Sequence, residues 1–250
     1  MLKTLHDIPL GGHTGFKKLY ALLGLRFFFP GMAERLRQYV LSCEHCQRNK
    51  SYNSNTRGIP TPTPVPVSRF SVIALDLLSG FPTSRNGNDC IVVFTDRLTK
   101  RAWIEPVTKD VTARGLAEIM LRTVFSSQGM PSILLSDQGP QFTSAFWQEF
   151  FALLKTDVKL TSSYHPQSNG QTEKFNKTLI EGLRSFVSAR QDDWEDYLVY
   201  LQFAYNNSVH AQTGFTPFQL TLGQHPRSPL DALVSASQGG QMFSSMKTIS

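Results

Sequence analysis

The stretch "PSILLSDQGPQFTSAFWQEFFALLK", Pro131–Lys155, reads as a strand that ends on an acid and then turns into a helix. Ile133, Leu134 and Leu135 form a run too short for a helix, bounded by Pro131 and by the turn residues after Asp137. Asp137 stands where strand becomes loop, and α/β folds put their chemistry at strand ends. "TSAFWQEFFALLK" then reads as a helix. Upstream, "SVIALDLLSG", "DCIVVFTD" and "RAWIEPV" are three more strands joined by polar turns, and residues 112–126 read as a helix. Downstream come a short strand at "VKL", a long helix from about Asn169 to Ala189, and a helix over "WEDYLVYLQFAYNNS". The order β-β-β-α-β-α-β-α mixes hairpin strands with crossover helices and predicts an α/β domain.

The chain has 250 residues, 40% of them hydrophobic and 18% charged, which suits one large or two smaller globular domains. No apolar run is long enough to cross a bilayer and the N-terminus lacks a signal-peptide layout, so a soluble, intracellular protein is expected. Three cysteines do not make a secreted disulfide framework, and Cys90 within "DCIVVFTD" reads as a buried small side chain. The net charge of +6 is uneven. Residues 1–57 hold nine Lys/Arg and three Asp/Glu, whereas the remainder holds sixteen of each. A basic module on a neutral body points to a polyanion, most simply nucleic acid, although a solvated basic face has the same composition. Pro60, Pro62, Pro64 and Pro66 exclude a helix and a central strand, so an extended linker is expected. The expected division is a module over 1–52, a Pro-rich linker over 53–67, a body over 68–230 and a disordered tail over 231–250.

Within the module, His6, His13, Cys43 and Cys46 follow the order His-x6-His-x29-Cys-x2-Cys. Short chelating pairs of N and S ligands suit tetrahedral zinc. A module of this size has little core of its own, so a metal can supply the missing stability. His45, between the cysteines, is surplus to a site that the two pairs already close.

Within the body, Asp76 lies among Ile73, Ala74, Leu75, Leu77 and Leu78, where an unpaired charge is costly to bury. Asp137 is the strand-end acid. Glu173 follows the turn-rich entry "SYHPQSNGQTEKFNKTL", in which Ser168 and Gln171 have capping-box spacing and set a helix start near Asn169. At 100° per residue Glu173 falls beside the apolar side made by Phe175, Leu179, Leu183, Phe186 and Val187, although a solvated pair with Lys177 would account for it too. Three acids from separate elements can hold hard cations such as Mg²⁺, and two such ions support phosphoryl transfer.

These stretches together resemble a retroelement integrase of the gypsy (Metaviridae) type. The likeness covers roughly residues 6–230 and rests on "GGHTG", "FPGM", "CEHCQRNK", "VVFTDRLTKRAW", "SDQGPQFTSAFWQEF", "YHPQSNGQTEKFN" and "AYNNSVHAQTGFTPFQLTLGQHP". The resemblance implies an RNase H-like catalytic core, a five-stranded mixed sheet with flanking helices, preceded by a small helical zinc-binding domain. It implies a catalytic triad of Asp76, Asp137 and Glu173 holding two Mg²⁺ or Mn²⁺ ions, beside structural Zn²⁺. The implied reaction cuts element DNA near its 3′ ends and joins them to target DNA, with no covalent enzyme intermediate. Lys177, Lys174, His165, Gln167 and Asn169 correspond to the family's DNA-contacting helix and active-site loop. The implied partners are double-stranded DNA and further copies of the chain, and the implied location is the nucleus. Phe29 and Phe70 stand where the family often has Trp, and Asp96 is expected to pair locally with Arg97 or Lys100 rather than to be catalytic. Relatives usually continue into a β-barrel where this chain ends, so a fragment, a truncated gene or a domesticated copy that binds DNA without catalysis is the alternative expectation. A ribonuclease H would share the core and metals but not the zinc module.

Overall fold

The computed structural model describes residues 2–49, 66–160, 166–227 and 231. The linker expected at 53–67 lies outside the described residues save for 66 and 67, and so does the tail beyond Asp231. The N-terminal module opens with two helical turns, Lys3–Asp7 and Pro9–Gly11, followed by α1 (Phe16–Gly24), α2 (Met32–Ser42) and α3 (Glu44–Asn49). Leu5, Leu19, Leu23, Met32 and Leu36 form its small core.

The body begins with β1 (Val72–Ser79), β2 (Cys90–Asp96) and β3 (Ala102–Val107). Then follow α4 (Ala113–Met120), a wide turn at Leu121–Phe125, α5 (Ser126–Gln128) and β4 (Ile133–Ser136). Next are α6 (Pro140–Thr143), α7 (Ala145–Leu153), β5 (Asp157–Leu160), α8 (Pro166–Leu183), α9 (Glu195–Asn206) and α10 (Pro217–Leu222). The five strands form one mixed sheet in the order β3-β2-β1-β4-β5. β1 to β3 are antiparallel neighbours, while β4 and β5 run parallel to β1. The two-residue alternation of strand side chains sorts the apolar residues onto two faces. Ile73, Leu75, Val92, Phe94 and Leu134 pack under α4 and α7 with Met120, Trp147 and Phe151. Ile91, Val93, Ala102 and Ile104 pack under α8 and α9 with Phe175, Leu179, Trp194 and Leu201.

Helix α8 differs from its expected bounds. It starts at Pro166 instead of near Asn169, because proline's fixed φ and missing N–H suit a first turn. It stops at Leu183 instead of Ala189. Beyond that point the backbone tightens, with Ser185 donating to Gly182 O and Phe186 to Leu183 O, both at 3.0 Å. Phe186 and Val187 still pack against the core, which is why the apolar period ran on past the helix.

β3 lies at the edge of the sheet, where Pro106 is tolerated. Helix α9 covers that edge. Asn206 accepts from Ala102 N at 2.9 Å and donates to Ala102 O at 2.8 Å, and Gln202 accepts from Ile104 N at 2.7 Å. One amide therefore satisfies both outward backbone groups of an edge residue, the job a neighbouring strand would do. Asn206→Leu should cost about 2–5 kcal/mol, since two buried backbone groups lose their partner. Urea unfolding would measure the cost, and light scattering should show increased self-association through the bared edge.

Asp96 acts on the nearby Lys100 charge, as expected, and also takes backbone and hydroxyl donors. It accepts from Phe70 N at 3.1 Å, Thr99 N at 2.9 Å and Thr99 Oγ1 at 2.6 Å. Fully buried, it ties the β2–β3 turn to the residue that leads into β1. Phe70 keeps an aromatic contact, its ring 6.1 Å from that of Trp103.

Candidate metal centres and active site

The module brings His6, His13, Cys43 and Cys46 together. Their ligand atoms all lie within 4.8 Å of one another. Cys46 Sγ is 3.3 Å from His6 Nε2, and Cys43 Sγ is 3.3 Å from His13 Nδ1. Cys46 Sγ is 3.8 Å from His13 Nδ1. Zinc bonds of about 2.0–2.3 Å at tetrahedral angles give N···S edges of about 3.6 Å, so the quartet fits this ion. His6 Nδ1 lies 3.1 Å from Thr14 O, a contact that orients the ring and leaves Nε2 to the metal. Tyr39 donates to Asp7 Oδ2 at 2.7 Å and sets its ring edge-on against His6. Burial first, and then the Asp7 acceptor, push its phenol up to about 12. His45 is exposed and stays outside the quartet.

In the body, β1 and β4 are paired in parallel through Val72↔Ile133, Ile73↔Leu134 and Ala74↔Leu135. Continuing that register by two residues sets Asp76 beside Asp137, on adjacent strands about 4.8 Å apart. Asp76 pairs with Val93 in the β1–β2 ladder, which places it on the face covered by α8 and α9. Asp137 is exposed, and its Oδ1 accepts from Gly139 N at 3.0 Å, which holds the acid in the turn after β4.

Helix α8 reaches this pair through a residue that the sequence reading had passed over. Asn176 Nδ2 donates to Asp76 Oδ2 at 2.6 Å. Asn176 Oδ1 is buried and has no hydrogen-bond partner among the described residues. An oxygen acceptor left in this state beside a carboxylate is a group that a hydrated cation would satisfy. Glu173 lies three residues earlier on α8, on the same stripe of the helix. Its backbone is described and its side chain is not, and the same holds for Lys174, Gln167 and Asn169; His165 lies outside the described residues. Lys177 is exposed one turn after position 173. The signal for Asn176 was its spacing, since whatever sits three residues after an acid on a sheet-facing helix stacks below it.

Asn176→Ala should weaken divalent-cation binding roughly 10–100-fold, the usual cost of losing a residue that orients a ligand. Calorimetric titration with Mn²⁺ would measure this, and an unchanged circular dichroism spectrum would show that the fold is kept.

Comparison with known proteins agrees with both halves. Residues 1–52 match the model of the integrase zinc binding domain, and residues 69–166 match that of the integrase core domain. The Transposon Tf2-3 and Tf2-4 polyproteins of Schizosaccharomyces pombe are each 31% identical to the chain over 232 residues, which is 92% of it. The chain spans 17% of the length of those polyproteins. Among solved structures, a chain of the simian T-cell lymphotropic virus intasome in complex with PP2A regulatory subunit B56 gamma aligns over 88% of this chain and 78% of its own, at 20% identity and a TM-score of 0.50. That likeness supports the shared fold. The chain thus carries an integrase zinc binding domain followed by an integrase core domain.

Proposed function

We propose that the protein is a gypsy-type retrotransposon integrase that joins DNA 3′ ends to target DNA, using two Mg²⁺ or Mn²⁺ ions held by Asp76, Asp137 and Glu173. The observation that carries this reading is the junction of β1, β4 and α8. The parallel register, continued by two residues, brings Asp76 beside Asp137, and Asn176 ties Asp76 to the helix that carries Glu173. When bound, such ions lower the proton affinity of an attacking oxygen and offset charge on a leaving one.

The chain's own groups define the rest. Asn176 holds one oxygen of Asp76, fixing the carboxylate's plane, and the turn at Gly139 does the same for Asp137. Cutting consumes water, breaks one phosphodiester bond and leaves a 3′-hydroxyl. Joining forms a bond from that 3′-oxygen to a target phosphorus and breaks the bond to the target's own 3′-oxygen, which takes up a proton. Bond count is conserved, so joining needs no external energy source. Lys177, exposed one turn beyond Glu173, would meet a phosphate of the DNA in this reading. Lys174, Gln167, Asn169 and His165 are assigned DNA contacts as well, on the sequence resemblance alone. Joining two DNA ends calls for at least two copies of the chain, and the reaction belongs where chromosomal DNA is, in the nucleus.

The test is a labelled duplex matching the element's terminal repeat, incubated with purified protein and Mg²⁺ or Mn²⁺. Products longer than the substrate, abolished by EDTA, are expected. Retention of the duplex with no joined product would overturn the enzymatic reading in favour of DNA binding alone.

A further inference from the structure

The zinc quartet and the acidic site sit on separate parts of the chain, yet the loop carrying His13 reaches both helices that cover the Asp76 face of the sheet. Gly12 has φ +59, and a Cβ built there would lie 2.9 Å from the Cβ of Ala204 on α9. No side chain fits, so the backbone of the zinc loop rests directly on α9. His13 turns one ring nitrogen to Cys43 Sγ while the ring lies 5.0 Å from Phe186, just beyond α8. Lys18 of α1 stands 5.8 Å over the ring of Tyr205, which meets Phe175 of α8 edge-on at 4.5 Å. The two helices are themselves pressed together, since a Cβ at Gly182 would come within 2.8 Å of Leu201 Cδ2.

We propose that the zinc-closed loop Gly12–Thr14 is a wedge that positions α8 within its own chain, so that zinc binding sets the placement of Asn176 and, with it, of Asp76. The inference rests on the integrase reading only in treating α8 as the helix of the catalytic centre. His13 has a φ of 44°, a conformation that a non-glycine residue keeps only when its surroundings fix it. Five buried apolar side chains form the module's core, which is too little to hold such a loop without the metal. Loss of zinc frees the loop, and α8 and α9 lose a packed neighbour.

Hydrogen exchange on the full chain tests this in the absence of Mg²⁺, comparing zinc-loaded protein with protein stripped by a zinc chelator. The wedge predicts that amides in 175–187 exchange about tenfold faster on stripping, together with those in 2–49. Fast exchange confined to 2–49, with 175–187 unchanged, would overturn it. Ala204→Leu fills the space of Gly12 and touches no zinc ligand. It should keep one zinc per chain by metal analysis while raising exchange in 175–187, and unaltered exchange there would count equally against the wedge. Neither readout involves DNA, so failure of the wedge leaves the integrase reading standing, and failure of strand transfer leaves the wedge standing.

Discussion

Asp137→Asn and Glu173→Gln should each lower strand transfer by at least ~10³-fold while leaving the fold intact. In the proposed centre each would remove one anionic oxygen ligand and replace it with a neutral amide of the same size. Metal ligation supplies several kcal/mol of transition-state stabilisation, and about 4 kcal/mol corresponds to a thousandfold in rate. The fold should survive, because Asp137 is exposed just after β4 and among the described residues its side chain accepts from Gly139 N alone, which an asparagine oxygen can still do. Position 173 lies on α8 ahead of the residues that build the core, Phe175, Leu179 and Leu183. Calorimetry with Mn²⁺ should show weakened binding in both variants. Zinc content should stay unchanged, because the quartet shares no ligand with the acids.

Cys46→Ser should release zinc and unfold the N-terminal module. Cys46 Sγ is buried and faces both histidines, at 3.3 and 3.8 Å, so its loss opens the edges of the tetrahedron to both at once. Structural zinc contributes on the order of 10 kcal/mol of folding free energy in small modules, more than a core of this size can replace. The expected result is a fall from one zinc per chain to none, with loss of the helical signal contributed by α1 to α3. A chelator should do the same to the natural protein, and added zinc should reverse it. Retention of stoichiometric zinc in the variant would remove Cys46 from the ligand set.

Much of this was legible in the sequence, for identifiable reasons. All five strands fell where short apolar runs met turn residues, since that pattern depends on local periodicity. The zinc ligands were legible because chelating pairs need short spacing. Asp137 was legible as a strand-end acid. What escaped depends on contacts between distant residues. Asn176 is an ordinary polar residue on a helix until Asp76, a hundred positions away, is set against it. Asn206 and Gln202 gain their purpose only once β3 turns out to be an edge. The seat of Gly12 on Ala204 links residues almost two hundred positions apart. One miss was local. Thr216-Pro217-Phe218-Gln219 carries a full capping box with proline in the first turn, which announces α10, and the sequence reading left that stretch unassigned. The bounds of α8 were misjudged because the Ser168–Gln171 spacing imitates a cap, while the true start used Pro166.

The central claim is that three acids at the β1–β4–α8 junction support direct, one-step joining of a DNA 3′ end to a target phosphate. The most direct test is strand transfer into a target whose reacting phosphate carries a chiral phosphorothioate. A single in-line displacement predicts product with inverted configuration at phosphorus, formed only when Mg²⁺ or Mn²⁺ is present. Retained configuration would require an intermediate bonded to the protein, and that result, or no joined product at all, would contradict the account.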